Sequence, residues 1–344
     1  MKKMRAIMMY LLITGCAMFM FSSPAAAADP GVDYSVAPIL PDNQLDRGKS
    51  FFDLRVKPEE KQTIQLQIEN YSDQEQRYFI EVNTAQTSGN LTIDYGNTDI
   101  PKDSINQQPI SDYVKYPKEV TIPAKKAGVV SLDLTVPKES FDGILLGGIQ
   151  VKKDFGKEEK PKDQISSEYA YVIGLMLSEN DQPVEPDLQY KGIKAKELTN
   201  NAGLIVSMEN PTPINIKKAS LTADVYAEDG TKPVITRTIE DGGIAPSSRF
   251  DLHLFNGEAG DTKPLVAGKY RLELSVEDDA GHNWKFNEPF EITKKEASAV
   301  NNQVFQVEEG TNYWLYIIIG ILAAVVLSFL GYFIYTKQKQ KSNQ

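Results

Sequence analysis

Thr63-Ile64-Gln65-Leu66-Gln67-Ile68-Glu69 puts Ile64, Leu66 and Ile68 on one side of an extended chain and polar residues on the other. Side chains alternate across a strand, so this period of two describes a sheet with one buried face. Lys57-Pro58-Glu59-Glu60 before it and Asn70-Tyr71-Ser72-Asp73 after it carry turn chemistry. The same pattern recurs at Tyr78, Ile80 and Val82, and again at Val130, Leu132, Leu134 and Val136, a segment bracketed by Pro123 and Pro137. Phe141-Asp142-Gly143-Ile144-Leu145-Leu146-Gly147-Gly148-Ile149 is an apolar run with three glycines, which in a strand mark a bulge or a close backbone approach.

Beyond it, residues 153–165 are charged and nearly free of apolar side chains, so they read as a solvated linker. Tyr169, Tyr171, Ile173, Leu175 and Leu177 then alternate. This strand has two possible owners: a second domain, or the first one if it turns back to pair with Ile144–Val151. Further on, alternation appears at Leu204/Val206/Met208, Leu221/Ala223/Val225, Phe250/Leu252/Leu254, Tyr270/Leu272/Leu274/Val276 and Trp284/Phe286/Phe290/Ile292. Turn signals fall between these sets, and no long amphipathic helix competes with them. The sequence predicts an all-β chain of two tandem immunoglobulin-like β-sandwich domains, at 34–152 and 166–293. Polar residues 294–312 read as a stalk.

Two apolar stretches frame these domains. Lys2, Lys3 and Arg5 precede the run Ile7 to Phe21 and an Ala26-x-Ala28 site, the pattern of a cleaved signal peptide over 1–28. Ile13-Thr14-Gly15-Cys16 fits a lipobox loosely, but the apolar run continues past the cysteine. Residues 313–335 carry no charge and would span about 34 Å as a helix, enough for a single transmembrane helix. Lys337, Lys339 and Lys341 place the 336–344 tail in the cytoplasm, with Tyr313, Trp314 and Tyr316 at the outer interface. No Leu-Pro-x-Thr-Gly wall-sorting signal precedes the helix. The expected location is the cell membrane, with the ectodomain outside.

The chain has 37 basic and 47 acidic residues; without the three basic residues of the leader and the three of the tail, 31 remain against 47, a net charge of −16. Such a surface repels nucleic acid and anionic polymers at long range, which leaves neutral glycan, peptide or basic protein partners open. Cys16 leaves with the leader, so the mature chain has no disulfide, thiolate ligand or thiol nucleophile. His253 falls on the solvent side of a strand and His282 in a hairpin turn. Neither Gly-x-Ser-x-Gly nor His-Glu-x-x-His occurs, which leaves hydrolase chemistry without its parts. Glu277-Asp278-Asp279 lacks the spacing of a calcium loop and reads as a solvated turn. No catalytic residue, metal or cofactor is expected.

Tyr95, Tyr113, Tyr116 and Phe155 are aromatic residues in polar surroundings, suited to stacking on sugars or to the edge of a core. The Ile100–Tyr116 segment, with Pro101 and Pro109, is a long connection within a sandwich. Long connections on rigid sheets are the usual place for recognition. Tyr95, Tyr113 and Tyr116 are therefore the candidate ligand-contact residues.

The layout resembles the WxL-interacting proteins of Gram-positive bacteria over nearly the whole chain. The residues that carry the resemblance are Tyr34-Ser35-Val36, Ile39-Leu40-Pro41-Asp42-Asn43-Gln44, Phe51-Phe52-Asp53-Leu54, Gly143 to Ile149, Tyr169-Ala170-Tyr171-Val172-Ile173-Gly174 and Glu209-Asn210-Pro211-Thr212-Pro213, in this order. The resemblance implies a first domain that binds peptidoglycan and a second that binds WxL-domain surface proteins or host matrix components. It implies no catalytic residues. The leading expectation is a membrane-held binding scaffold; a host-matrix adhesin and a wall-modifying enzyme are the alternatives. A 19-residue stalk reaches at most roughly 65 Å, which counts against adhesion through a thick wall.

Overall fold

The computed structural model describes residues 33–96, 104–155, 169–258, 263–305 and 317–328. They form two compact units. The first takes the chain to Gln189 together with Glu209–Ala219 and Asp241–Phe250; the second takes Tyr190–Met208, Ser220–Glu240 and the chain from Asp251 on.

The first part of the chain supplies eleven strands: β1 (Tyr34–Ile39), β2 (Phe52–Arg55), β3 (Lys61–Asn70), β4 (Gln76–Thr84), β5 (Gln86–Thr87), β6 (Ile93–Asp94), β7 (Val114–Lys115), β8 (Glu119–Ile122), β9 (Ala127–Thr135), β10 (Leu145–Lys153) and β11 (Ala170–Ser178). They pair as a four-stranded sheet β1-β3-β9-β7, a five-stranded sheet β2-β11-β10-β4-β8 and the ribbon β5-β6. Alternate residues of the two large sheets share one core: Ile64, Leu66 and Ile68 of β3 and Leu132 of β9 meet Ile80, Ile149, Leu175 and Leu177 of the other sheet. Each of these side chains is buried, as the period of two requires. Tyr34 and Tyr78 pack within the same core, and burial together with the neighbouring Tyr171 pushes the Tyr34 hydroxyl up to about 12.

β11 settles the open assignment. It pairs antiparallel with β10 from Leu145↔Leu177 to Lys152↔Ala170, so it belongs to the first unit. The charged segment 153–165, expected as an interdomain linker, therefore lies between two paired strands; residues 156–165 of it are outside those described. β2 pairs parallel to β11, Phe52 opposite Leu175 and Leu54 opposite Leu177, and closes that edge of the core.

The later strands are β12 (Gln189–Leu198), β13 (Asn201–Asn210), β14 (Ile216–Ala227), β15 (Pro233–Ile244), β16 (Ser248–Phe255), β17 (Gly268–Glu277) and β18 (Asn283–Ile292). They pair as β12-β13-β16 and β15-β14-β17-β18. The expected all-β class is met. The order repeats that of the first set: β12, β13 and β16 take the places of β1, β3 and β9, and β15, β14, β17 and β18 those of β8, β4, β10 and β11. Among the described residues β2 has no counterpart in the second set.

The predicted stalk is corrected in its first half. Lys294–Val304 is a helix, α1, opened by a capping box in which Thr293 and Glu296 satisfy each other's backbone N–H groups. Ala297 and Val300 are buried, and Asn301 donates to the Leu265 carbonyl and accepts from its N–H, so α1 packs on the second unit. The remainder of the stalk, 306–312, lies outside the described residues, as does the leader. Residues 317–328 are helical; among the described residues no helix is long and apolar enough to cross a membrane.

Candidate binding cleft on the first unit

The connection expected to carry recognition is described from Ser104. Pro109, with its fixed φ, precedes a 3-10 turn at Ile110–Tyr113. Ile110 is fully buried and enters the core over Gly147, where an added Cβ would lie 2.4 Å from the Ile110 Cγ2 and from the Asn83 carbonyl oxygen. The turn is pinned to the end of β4: the Ser111 N–H donates to Thr84 Oγ1 at 3.2 Å, and the two hydroxyl oxygens are 3.0 Å apart. Val114 then pairs with Leu134, and Tyr116-Pro117-Lys118 leads the chain into β8 beside β4.

A cleft of about 390 Å³ opens between these two attachments, lined by Phe79, Ile80, Glu81, Val82, Asn83, Ser111, Tyr116 and Lys118. Its floor is a break in the sheet edge. The Ile80 N–H donates to the Lys118 carbonyl at 2.9 Å, which fixes the direction in which Ile80 presents its main-chain groups. Alternate residues of an antiparallel strand point their N–H and C=O the same way. Val82 therefore turns its main-chain amide groups away from β10 and into the cleft, one step past the end of β8.

The two aromatic walls are capped by cations. The Lys118 ammonium lies 4.2 Å from the Tyr116 ring centroid and donates to its hydroxyl at 2.8 Å. The Arg77 guanidinium lies 5.4 Å from the centroid of Phe79, itself 38% exposed. Arg77 is also engaged by Asp154, to which its Nε donates at 2.8 Å. Lys152 stands 3.5 Å from Glu81. Lys118 is held by an aromatic ring in place of a carboxylate.

Of the three tyrosines singled out by sequence, Tyr116 lines this cleft. Tyr113 packs against the core, where burial, followed by Asp112 and Glu139, raises its hydroxyl. Tyr95 sits on the opposite face of β10 from Ile110, over Gly148, where an added Cβ would come within 2.7 Å of the Tyr95 Cβ; burial raises its hydroxyl too. Gly148 pairs directly with Gly174 of β11, and Phe51 packs over Gly174. Gly148 and Gly174, two of the glycines in the segments that carry the family resemblance, are thus the floor on which Tyr95 and Phe51 rest. Phe155 is 47% exposed, with the Lys153 ammonium 5.6 Å from its ring centroid.

Sequence reasoning missed Val82 as an edge, because the gap depends on where β8 begins. It also missed a shared turn device. Asn70 is buried and donates through Nδ2 to the carbonyls of Gln74, Ile122 and Pro123, while its Oδ1 accepts from Ser72. Asn210 does the same with Ile214, Ala245 and Thr212. The common spelling Glu-Asn-x-Ser/Thr, at 69–72 and 209–212, was the available signal.

The two histidines belong to the second unit. His253 is half-buried with its ring edge-on to Phe255; burial first, then Arg237 and Lys196, lowers its pKa. His282 closes the β17–β18 turn. Burial alone would raise the pKa of Asp278, but the hydrogen bond to the His282 ring and the N–H groups of His282 and Ala280 hold it down.

Residues 34–153 match the description "WxL Interacting Protein, peptidoglycan binding domain", and residues 160–302 match "WxL Interacting Protein, host binding domain". The chain belongs to the WxL-interacting protein family. Its second match begins ahead of β11, a strand that hydrogen-bonds in the first unit's sheet. No curated protein matches the chain. Among solved structures it is similar to a chaperone–tip adhesin complex of CFA/I fimbriae, at 12% identity and TM-score 0.31, covering 74% of this chain and 98% of that one. The E. coli chaperone DraB is similar at 16% identity and TM-score 0.27, covering 75% and 95%. Overlaps this low say nothing about function.

Proposed function

We propose that this protein is a non-enzymatic scaffold at the cell surface, held by a C-terminal membrane helix after removal of its leader. Its immunoglobulin-like first domain takes hold of peptidoglycan and its second captures a WxL-domain surface protein. The observation that carries this reading is the pair of binding-domain matches that together span most of residues 34–302.

On the first domain the cleft beside β4 is the wall-binding site, and it suits the stem peptide better than the sugar chain. A sugar ring needs a bare aromatic face, and one face each of Tyr116 and Phe79 is already covered by a cation. An extended peptide needs a main-chain donor and acceptor, which Val82 supplies, and its carboxylate needs a cation, which Lys118 supplies. One lysine inside a strongly acidic ectodomain makes this a local attraction that leaves the long-range repulsion of anionic wall polymers in place.

The test is co-sedimentation of the detergent-solubilised full chain with intact sacculi and with glycan strands stripped of their peptides by an amidase. Retention is expected on the sacculi only, and Lys118→Gln is expected to weaken it about tenfold. Equal retention on stripped glycan would overturn the stem-peptide assignment. Failure to sediment with intact sacculi would overturn peptidoglycan binding itself.

A further inference from the structure

The repeat between the two sets of strands shows what the second one lacks. In the first, β11 has a neighbour on each side: β10 antiparallel and β2 parallel. With β2 in place, Ile173, Leu175 and Leu177 of β11 are 7%, 0% and 0% exposed, and Phe52 and Leu54 are fully buried. β18 occupies the equivalent place in its sheet and, among the described residues, pairs with β17 alone and ends the sheet. Its row Trp284, Phe286, Glu288 and Phe290 stands on the same face as the buried Leu272, Leu274 and Val276, yet remains half-buried.

The edge is open over a defined span. The Asp278 N–H donates to the His282 carbonyl, so the bonded pairs of this hairpin are the even-numbered ones, such as Val276↔Trp284 and Leu274↔Phe286. Asn283, Lys285 and Asn287 consequently present their main-chain groups outward, and Pro289, which has no N–H, ends the run of donors. Tyr190 of β12 lies with its ring 6.3 Å from that of Phe286, which places a second aromatic residue beside the row.

We propose that the β18 edge is completed by an extended segment of a partner protein, added parallel to β18 as β2 is to β11. The segment carries apolar residues at alternate positions, over Trp284 and Phe286, and a basic residue two positions further, against Glu288. The occupant is argued from this chain's own answer to the same edge, the apolar-x-apolar of Phe52-Asp53-Leu54, and from the charge at Glu288, which β2 has no need to match. Strand addition of this kind draws affinity from main-chain hydrogen bonds and specificity from alternate side chains. The proposal deepens the partner-capture reading of the second domain and is independent of wall binding.

The test uses the full chain in detergent and two synthetic peptides, one copying Ser50–Val56 and one with the Val56→Lys change that places a cation two positions beyond Leu54. Binding is read from the fluorescence of Trp284, with Trp284→Phe as the blank that leaves Trp314 in place. Both peptides are expected to shift the emission to the blue, the lysine peptide binding about fivefold more tightly. Asn287→Pro, which removes one outward N–H, should abolish the shift. Glu288→Lys should reverse the order of the two peptides, and this variant decides the matter if Asn287→Pro fails to fold. Sacculus binding should be unchanged in either variant, which separates this failure from failure of the wall-binding reading. Absence of a blue shift with both peptides, or an edge filled by a second copy of the chain as seen in sedimentation equilibrium, would overturn the proposal.

Discussion

Single residues decide how closely the chain can approach itself around the candidate cleft. Gly147 admits Ile110 and the Asn83 carbonyl at distances no side chain would allow, whereas an added Cβ at Gly174 would meet Phe51 at an ordinary 3.4 Å. Gly147→Ala is therefore expected to cost about 2–3 kcal/mol and to displace the Ile110–Tyr113 turn, while Gly174→Ala is nearly neutral. Paired denaturant melts check this, and equal losses at the two positions would contradict it. Sequence marked Gly147, within the 141–149 run, as a bulge or close approach but could not say what approaches. Tyr95 and Tyr113 show the same limit: a tyrosine in polar company reads as exposed, yet one rests on Gly148 and the other on the core.

At the scale of elements, the alternating runs were legible because burial of one sheet face imposes its period directly on the sequence. Ile64, Leu66 and Ile68 are almost wholly buried, as their spacing requires. Pairing was less legible. The charged stretch before β11 has the composition of a linker, and only the β10–β11 register reveals that both strands belong to one sheet. β2 is short and its parallel partner lies far along the chain, so no local pattern announces it. The helix α1 was hidden by its polarity, although Thr293 and Glu296 spell a capping box. The turns after β3 and β13 each rest on one buried asparagine. Asn70→Ala would strand the carbonyls of Gln74, Ile122 and Pro123, and Asn210→Ala those of Ile214 and Ala245. Each loss is expected to be ~3 kcal/mol, with Asn70→Asp no substitute because a carboxylate cannot donate. Thermal melts that place Asn70→Asp level with the wild type would show that the turn does not depend on donation.

For the whole molecule, a single cysteine, Cys16, allows no disulfide within the chain and leaves stability to apolar burial, and the first unit's two-sheet core meets that need without a cross-link. Among the described residues the order of strands, twice over, gives two similar frames with different unfinished edges: a gap at Val82 in the first and the length of β18 in the second. A frame with two separate edges suits a protein that holds two things at once. The net charge of −16 over residues 29–312, by composition, disfavours nonspecific attachment to anionic polymers. The most direct measurement is a bridging assay: a purified WxL-domain protein that does not sediment with peptide-bearing sacculi unaided is mixed with them and the full chain in detergent. The WxL protein is predicted to pellet in proportion to the chain added, and to stay in solution when Lys118→Gln or Asn287→Pro replaces it. Pelleting of the chain alone, with the WxL protein left in the supernatant, would contradict the scaffold account.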